Sequence, residues 1–112
     1  MAAKASAAVT ASLRAEVLRQ LKPHWQALAP TGADAELLRS VLRFKLDRTG
    51  RLTGTPQVVA TTGRTASNAP QVGLHAERAI AAVRRAAPFT LPEKYYDAWN
   101  EMEIGFDKRL SQ

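Results

Sequence analysis

From Val9 onward apolar residues recur every fourth position: Val9, Leu13, Val17 and Leu21 form one row, with Leu18 beside it and Ser12, Arg19, Gln20 and Lys22 opposite. This spacing predicts a helix with one buried face, capped at its start by Thr10 or Ser12. Pro23 has no backbone N–H and disfavours the α conformation at Lys22, so the helix is expected to end near Lys22. His24, Trp25 and Leu28 would then cover the core from a loop. Ala29 to Asp34, with its proline and glycine, reads as a turn.

Between Arg39 and Asp47 the period changes to two. Leu42, Phe44 and Leu46 point one way and Val41, Arg43 and Lys45 the other, the pattern of a strand buried on one face. Asp47-Arg48-Thr49-Gly50 predicts a hairpin turn whose glycine tolerates positive φ, and Arg51 to Ala60 is expected to return as the second strand. That strand carries Gly54 and Pro56; proline belongs at an edge or a bulge, because a central strand bonds on both sides. Further on, Asn68 with Gln71 three residues later predicts an N-cap, and Pro70 suits a first helical turn. Val72, Ala76, Ala79, Ile80, Val83 and Ala87 gather on one side of this helix. Gly73, Glu77, Arg78, Arg84 and Arg85 take the other, with Leu74 stranded among them, and Pro88 stops it. After a short helix within Glu93 to Trp99, Met102, Ile104 and Phe106 alternate with Glu103, Gly105 and Asp107, which predicts a third strand.

Pairing the third strand with the first puts Glu103 and Asp107 on the same face as Arg43 and Lys45, and Ile104 and Phe106 with Leu42 and Phe44. Opposite charges across a ladder contribute about 0.2 to 1 kcal/mol per pair, enough to favour this register. The expected fold is α+β: a three-stranded antiparallel sheet in the order 2-1-3 with helices on one face. It forms one domain over residues 10–112, after a flexible end at 1–9.

Composition narrows the function. In 112 residues, 46% hydrophobic and 23% charged, there is room for one modest core. Cysteine is absent, which removes disulfides, thiolate catalysis and Cys-ligated zinc. No stretch approaches the ~20 apolar residues that cross a bilayer, and Met1 to Val9 lacks the apolar region of a secretory signal. The net charge of +6 would attract a polyanion at low salt and supports one alternative, a small basic nucleic-acid-binding protein. Its distribution argues otherwise. Arg39, Arg43, Lys45, Arg48 and Arg51 make a basic segment, and Glu93, Asp97, Glu101, Glu103 and Asp107 an acidic one, so the two are expected to face each other.

Candidate chemistry is sparse. His24 and His75 have no neighbours at metal-ligand spacing, and His75, at the border of an apolar face, is expected to be a hydrogen-bonded boundary residue. There is no nucleophile elbow, Walker loop or dinucleotide fingerprint. The four-residue spacing of Glu93, Asp97 and Glu101 is that of a solvated helix face. No catalytic, cofactor-binding or metal residues are therefore assigned, and the expectation is a non-enzymatic protein. Trp25, Phe89, Tyr95, Tyr96 and Trp99 have two readings, as the closure of a small sheet or as anchors for a partner, and the first is preferred.

The words of the sequence carry a further signal. Leu18-Arg19-Gln20-Leu21-Lys22-Pro23-His24-Trp25, the hairpin from Val41 to Leu52, the helix Glu77 to Ala86 running into Ala87-Pro88-Phe89-Thr90-Leu91-Pro92, and the ending Phe106-Asp107-Lys108-Arg109-Leu110 resemble the C-terminal domain of TolA and TonB-type energy transducers. The likeness runs from about residue 13 to 112, and its most specific piece is the helix followed by Pro-Phe and Leu-Pro. The resemblance implies a periplasmic domain that works in cell-envelope integrity, linking a proton-driven inner-membrane motor to outer-membrane or periplasmic proteins. Contact with the motor would run only through an N-terminal anchor, absent from this chain. The implied partners are a TolB-like β-propeller protein and a Pal-like lipoprotein, or an outer-membrane receptor if the chain is TonB-like; neither nucleic acid nor a small-molecule substrate is expected. Pro-His-Trp and the C-terminal ending lean toward TolA. With Pro56 blunting the second strand, the third is the edge expected to accept a partner's strand. The residues assigned to it are Met102, Glu103, Ile104, Gly105, Phe106 and Asp107.

Overall fold

A computed structural model describes residues 4–112. Its first helix, α1 (Ala7–Leu28), starts where the Ser6 hydroxyl accepts the Val9 N–H at 3.1 Å. The helix thus takes in residues 7–9, assigned from the sequence to a flexible end; residues 1–3 of that end lie outside the described residues. The larger correction is at Pro23, which sits inside α1 rather than ending it. The buried row Leu13, Val17, Leu21 simply continues to Trp25, so His24, Trp25 and Leu28 are helical and not in a loop. An interior proline costs about 3 kcal/mol, and burying an indole through one more turn offsets much of that. Pro23 itself is on the exposed side.

Three strands follow the α+β expectation: β1 (Arg39–Lys45), β2 (Gln57–Thr62) and β3 (Glu101–Phe106) form an antiparallel sheet in the order β2-β1-β3. Leu42, Phe44, Ile104 and Phe106 face the helices from its buried side, as their alternation predicts. The hairpin turn is also where the sequence puts it. The Gly50 N–H donates to the Asp47 carbonyl at 2.9 Å, with Gly50 at φ 83°. The Asp47 carboxylate accepts from the Thr49 N–H, the Thr49 hydroxyl and the Arg51 N–H. Bonding to the Thr49 hydroxyl, then to the Arg51 backbone, lowers the Asp47 pKa.

Tertiary contact adds a second demand on Gly50: a Cβ there would lie 1.9 Å from the Phe89 carbonyl oxygen. Gly50→Ala is therefore expected to cost about 2 to 4 kcal/mol, left-handed strain and a backbone clash together. A urea midpoint close to the parent's would contradict this.

The second strand differs from expectation. After the turn only Leu52 bridges to Leu46, and the paired strand begins at Gln57 rather than Arg51. Pro56 is buried in the loop before β2 and does not blunt its edge. A bulge instead interrupts the pairing opposite Val41 and Leu42.

The long helix α2 (Val72–Ala86) lies against α1 and buries His75, Ala79, Ala82 and Val83. It is entered by a 3-10 turn at Ala69–Gln71. Asn68 is no side-chain cap; it is fully buried, donating to the carbonyls of Asp34 and Gly63 and accepting the Thr65 N–H. A short helix, α3 (Tyr96–Trp99), leads into β3.

The aromatic residues mostly close the core. Trp25, Phe89 and Trp99 are buried. The Trp25 indole donates to the Asp107 carbonyl, the Trp99 indole to that of Pro92, and the Tyr96 hydroxyl to that of Leu46. No helix among the described residues is long and apolar enough to cross a membrane.

Candidate partner-binding edge

The sheet ends at β3, and the hydrogen-bond phase decides what that edge offers. Leu46 N–H donates to the Asn100 carbonyl at 2.8 Å, so in this register Met102, Ile104 and Phe106 bond to β1. Glu101, Glu103 and Gly105 consequently turn their N–H and C=O groups away from the sheet. Among the described residues one long-range contact reaches them: Arg14, on α1, donates from Nη1 to the Glu103 carbonyl at 2.9 Å. The edge forms the floor of an open groove of about 460 Å³ whose walls include Thr10 and Leu13 of α1 and Ala98 of α3.

Charges order the solvent face beside this groove. Arg43 lies 3.5 Å from Glu101 and 3.9 Å from Glu103, and Arg39 lies 3.3 Å from Asp107. The basic and acidic segments do face each other across β1 and β3. The Arg43 pairs are half-exposed, so each contributes under about 1 kcal/mol and sets register more than stability, while the Asp107 end of the Arg39 pair is mostly buried. Gly105 has no side chain in this row, and the Arg39 guanidinium fills the space: a Cβ on Gly105 would meet Nη2 at 2.1 Å.

The residues assigned to this edge from the sequence divide by phase. Glu103 and Gly105 present their backbone outward. Met102, Ile104 and Phe106 belong to β3 but spend their side chains in the core and their backbone on β1. Asp107 lies just past the strand, where its carboxylate accepts the N–H groups of Arg109 and Leu110 and caps the terminal turn. Glu101 also belongs to the edge, although the alternation visible in the sequence starts only at Met102. Arg14 cannot be found from the sequence: 89 positions separate it from Glu103, and no local pattern links them.

Elsewhere, the His75 Nδ1 lies 2.7 Å from the Ser40 Oγ, with the imidazole edge-on to Trp25. Ser40 has no exposed surface, so this pair is a satisfied core contact and not a nucleophile and base open to a substrate. It is the hydrogen-bonded histidine that the sequence suggests, more deeply buried than a boundary position. Among the described residues no three or more metal-ligating side chains gather.

Burial pushes the His75 pKa down, against a smaller upward pull from the Asp107 charge. Below the ordinary histidine value of about 6.5, the unfolded chain takes up a proton that the folded chain resists. Stability should thus be unaffected by this group above pH 7 and fall as the pH drops from about 6.5 through the folded pKa, by at most about 1.4 kcal/mol per pH unit. Urea midpoints at pH 7.5 and 5.5 measure the difference, which His75→Gln should reduce; an equal loss in the variant would assign it to other groups.

Compared with family models, curated proteins and solved structures, the chain matches none.

Proposed function

We infer that this chain is a non-enzymatic binding domain that captures an extended segment of a partner protein by strand addition at the β3 edge. The observation that carries this reading is the row of outward backbone groups at Glu101, Glu103 and Gly105 along the α1 groove, into which, among the described residues, Arg14 alone is bonded. An incoming strand would displace that guanidinium and supply backbone hydrogen bonds in its place, with affinity from the main chain and selectivity from the groove walls. The TolA and TonB resemblance gives the setting: a periplasmic domain whose partners are a TolB-like propeller protein, a Pal-like lipoprotein or an outer-membrane receptor. The order helix, hairpin, helix, strand supports it. The nucleic-acid alternative is weakened by the pairing of Arg39 and Arg43 with acids and by the burial of most of the aromatic side chains.

Photo-crosslinking tests this directly. A photoreactive residue at position 103, in the domain expressed in the periplasm of its own organism, is expected to capture an envelope protein of one of these classes. Gly105→Pro, which removes an outward N–H and displaces only the flexible end of Arg39, should abolish that capture while leaving the circular dichroism spectrum unchanged. Undiminished capture by the folded variant rules out this edge, and recovery of nucleic acid instead would favour the alternative.

A further inference from the structure

We propose that the opposite edge, β2, is a second docking strand, fitted to an extended segment of a partner protein that carries acidic residues. It does not depend on the reading of β3. All six residues of β2, Gln57 to Thr62, are exposed, on both faces of the sheet. None is charged and none is proline, and Val58 and Val59 remain 43% and 37% exposed. Sheet edges are normally protected by charge, proline, a bulge or a covering element, and among the described residues only the bulge protects this one. Because Ser40 directs its backbone to β3, its β2 partner Thr61 turns its own N–H and C=O outward, where an added strand would bond.

Charge selects the occupant. Val58 pairs with Leu42 and so stands on the helix side of the sheet, and an open groove of about 410 Å³ lies between Thr55, just before β2, and α2. That groove has an apolar floor at Ile80 and Ala81 and is rimmed by Arg84 and Arg85, against the single acid Glu77. Neither arginine forms an ion pair among the described residues. On the other face, Thr55 and Gln57 border a smaller groove with Lys45, which forms no ion pair among the described residues, and with Arg43, whose charge is already met by Glu101 and Glu103. A strand added to β2 would therefore meet positive charge on both faces where it passes Thr55. A second copy of this chain, at +6, would bring like charge to the same place.

The probe is a dye-labelled peptide, Asp-Glu-Val-Thr-Val-Thr-Val-Glu-Asp, with a counterpart in which lysine replaces each acid. Fluorescence polarisation should show binding of the acidic peptide that weakens with added salt, and amide hydrogen exchange should slow at Thr61. Arg84→Glu with Arg85→Glu, both on the surface, should weaken binding about tenfold, equivalent to about 1.4 kcal/mol. Thr61→Pro should abolish it, and Gly105→Pro should leave it unchanged. Equal binding of the lysine peptide, loss of binding with Gly105→Pro in place of Thr61→Pro, or protection of Thr61 that rises with protein concentration alone would each overturn the proposal.

Discussion

Trp25→Ala is expected to lower the unfolding free energy by about 3 to 5 kcal/mol, the range for deleting a large aromatic from a core. The indole is 1% exposed, edge-on to His75 at 5.1 Å and to Phe106 at 5.4 Å, and its N–H donates to the Asp107 carbonyl at 2.8 Å. It therefore joins α1, α2, β3 and the C-terminal turn at one point. Domains of this size are stable by about 6 to 17 kcal/mol in total, so the loss would be a large share. Urea unfolding followed by circular dichroism measures it, and amide exchange at Leu110 should quicken as the terminal turn loses its contact. Trp25→Phe restores most of the ring packing but leaves the carbonyl without its donor, and should cost about 1 to 3 kcal/mol. A loss below about 1 kcal/mol for the alanine variant would mean that the turn does not depend on Trp25.

Phe44→Ala should cost a similar amount, about 3 to 5 kcal/mol. Phe44 is 2% exposed and stacks on Phe89 with ring centroids 5.9 Å apart, so truncation removes the contact between β1 and the segment that follows α2. The same urea experiment applies. A one-residue slip of β1 would move every one of its side chains to the other face; a cost under about 1 kcal/mol would indicate that slip. Leu42→Ala then distinguishes a slipped strand, where it too is cheap, from a core that collapses around the missing ring.

These two residues mark the difference between local and distant information. Phe44 was legible because alternation is a local property of a half-buried strand: Leu42, Phe44 and Leu46 must share a face whatever covers it. The sequence misplaces Trp25 because the signal at Pro23 is local and what outweighs it is not. The lost hydrogen bond and steric cost of a proline are local, whereas the burial that outweighs them comes from Phe106, His75 and the C-terminal turn, all distant in sequence. Pro56 gave the converse error. A proline within a run of β-formers suggested a blunted strand, but the chain uses it in the loop before the strand, and the edge beyond it is open.

The candidate edge divides the same way. That β3 pairs with β1 and lies opposite β2 could be read from matched apolar faces and matched charge. Which of its backbone groups point outward depends on the hydrogen-bond phase, set by the Leu46 to Asn100 contact at one end of the ladder. Arg14 reaches Glu103 only because α1 crosses beside the sheet.

By itself the amino-acid sequence determined the periodicities, the turn at Gly50, the α+β class and the facing of basic on acidic strands, because each follows from side chains a few positions apart or from two strands of opposite charge. The tertiary structure alone decided the length of α1, the burial of His75 against Ser40 and the openness of both sheet edges. Each of these is a balance between a local cost and contacts from distant parts of the chain, and only the folded molecule brings those parts together.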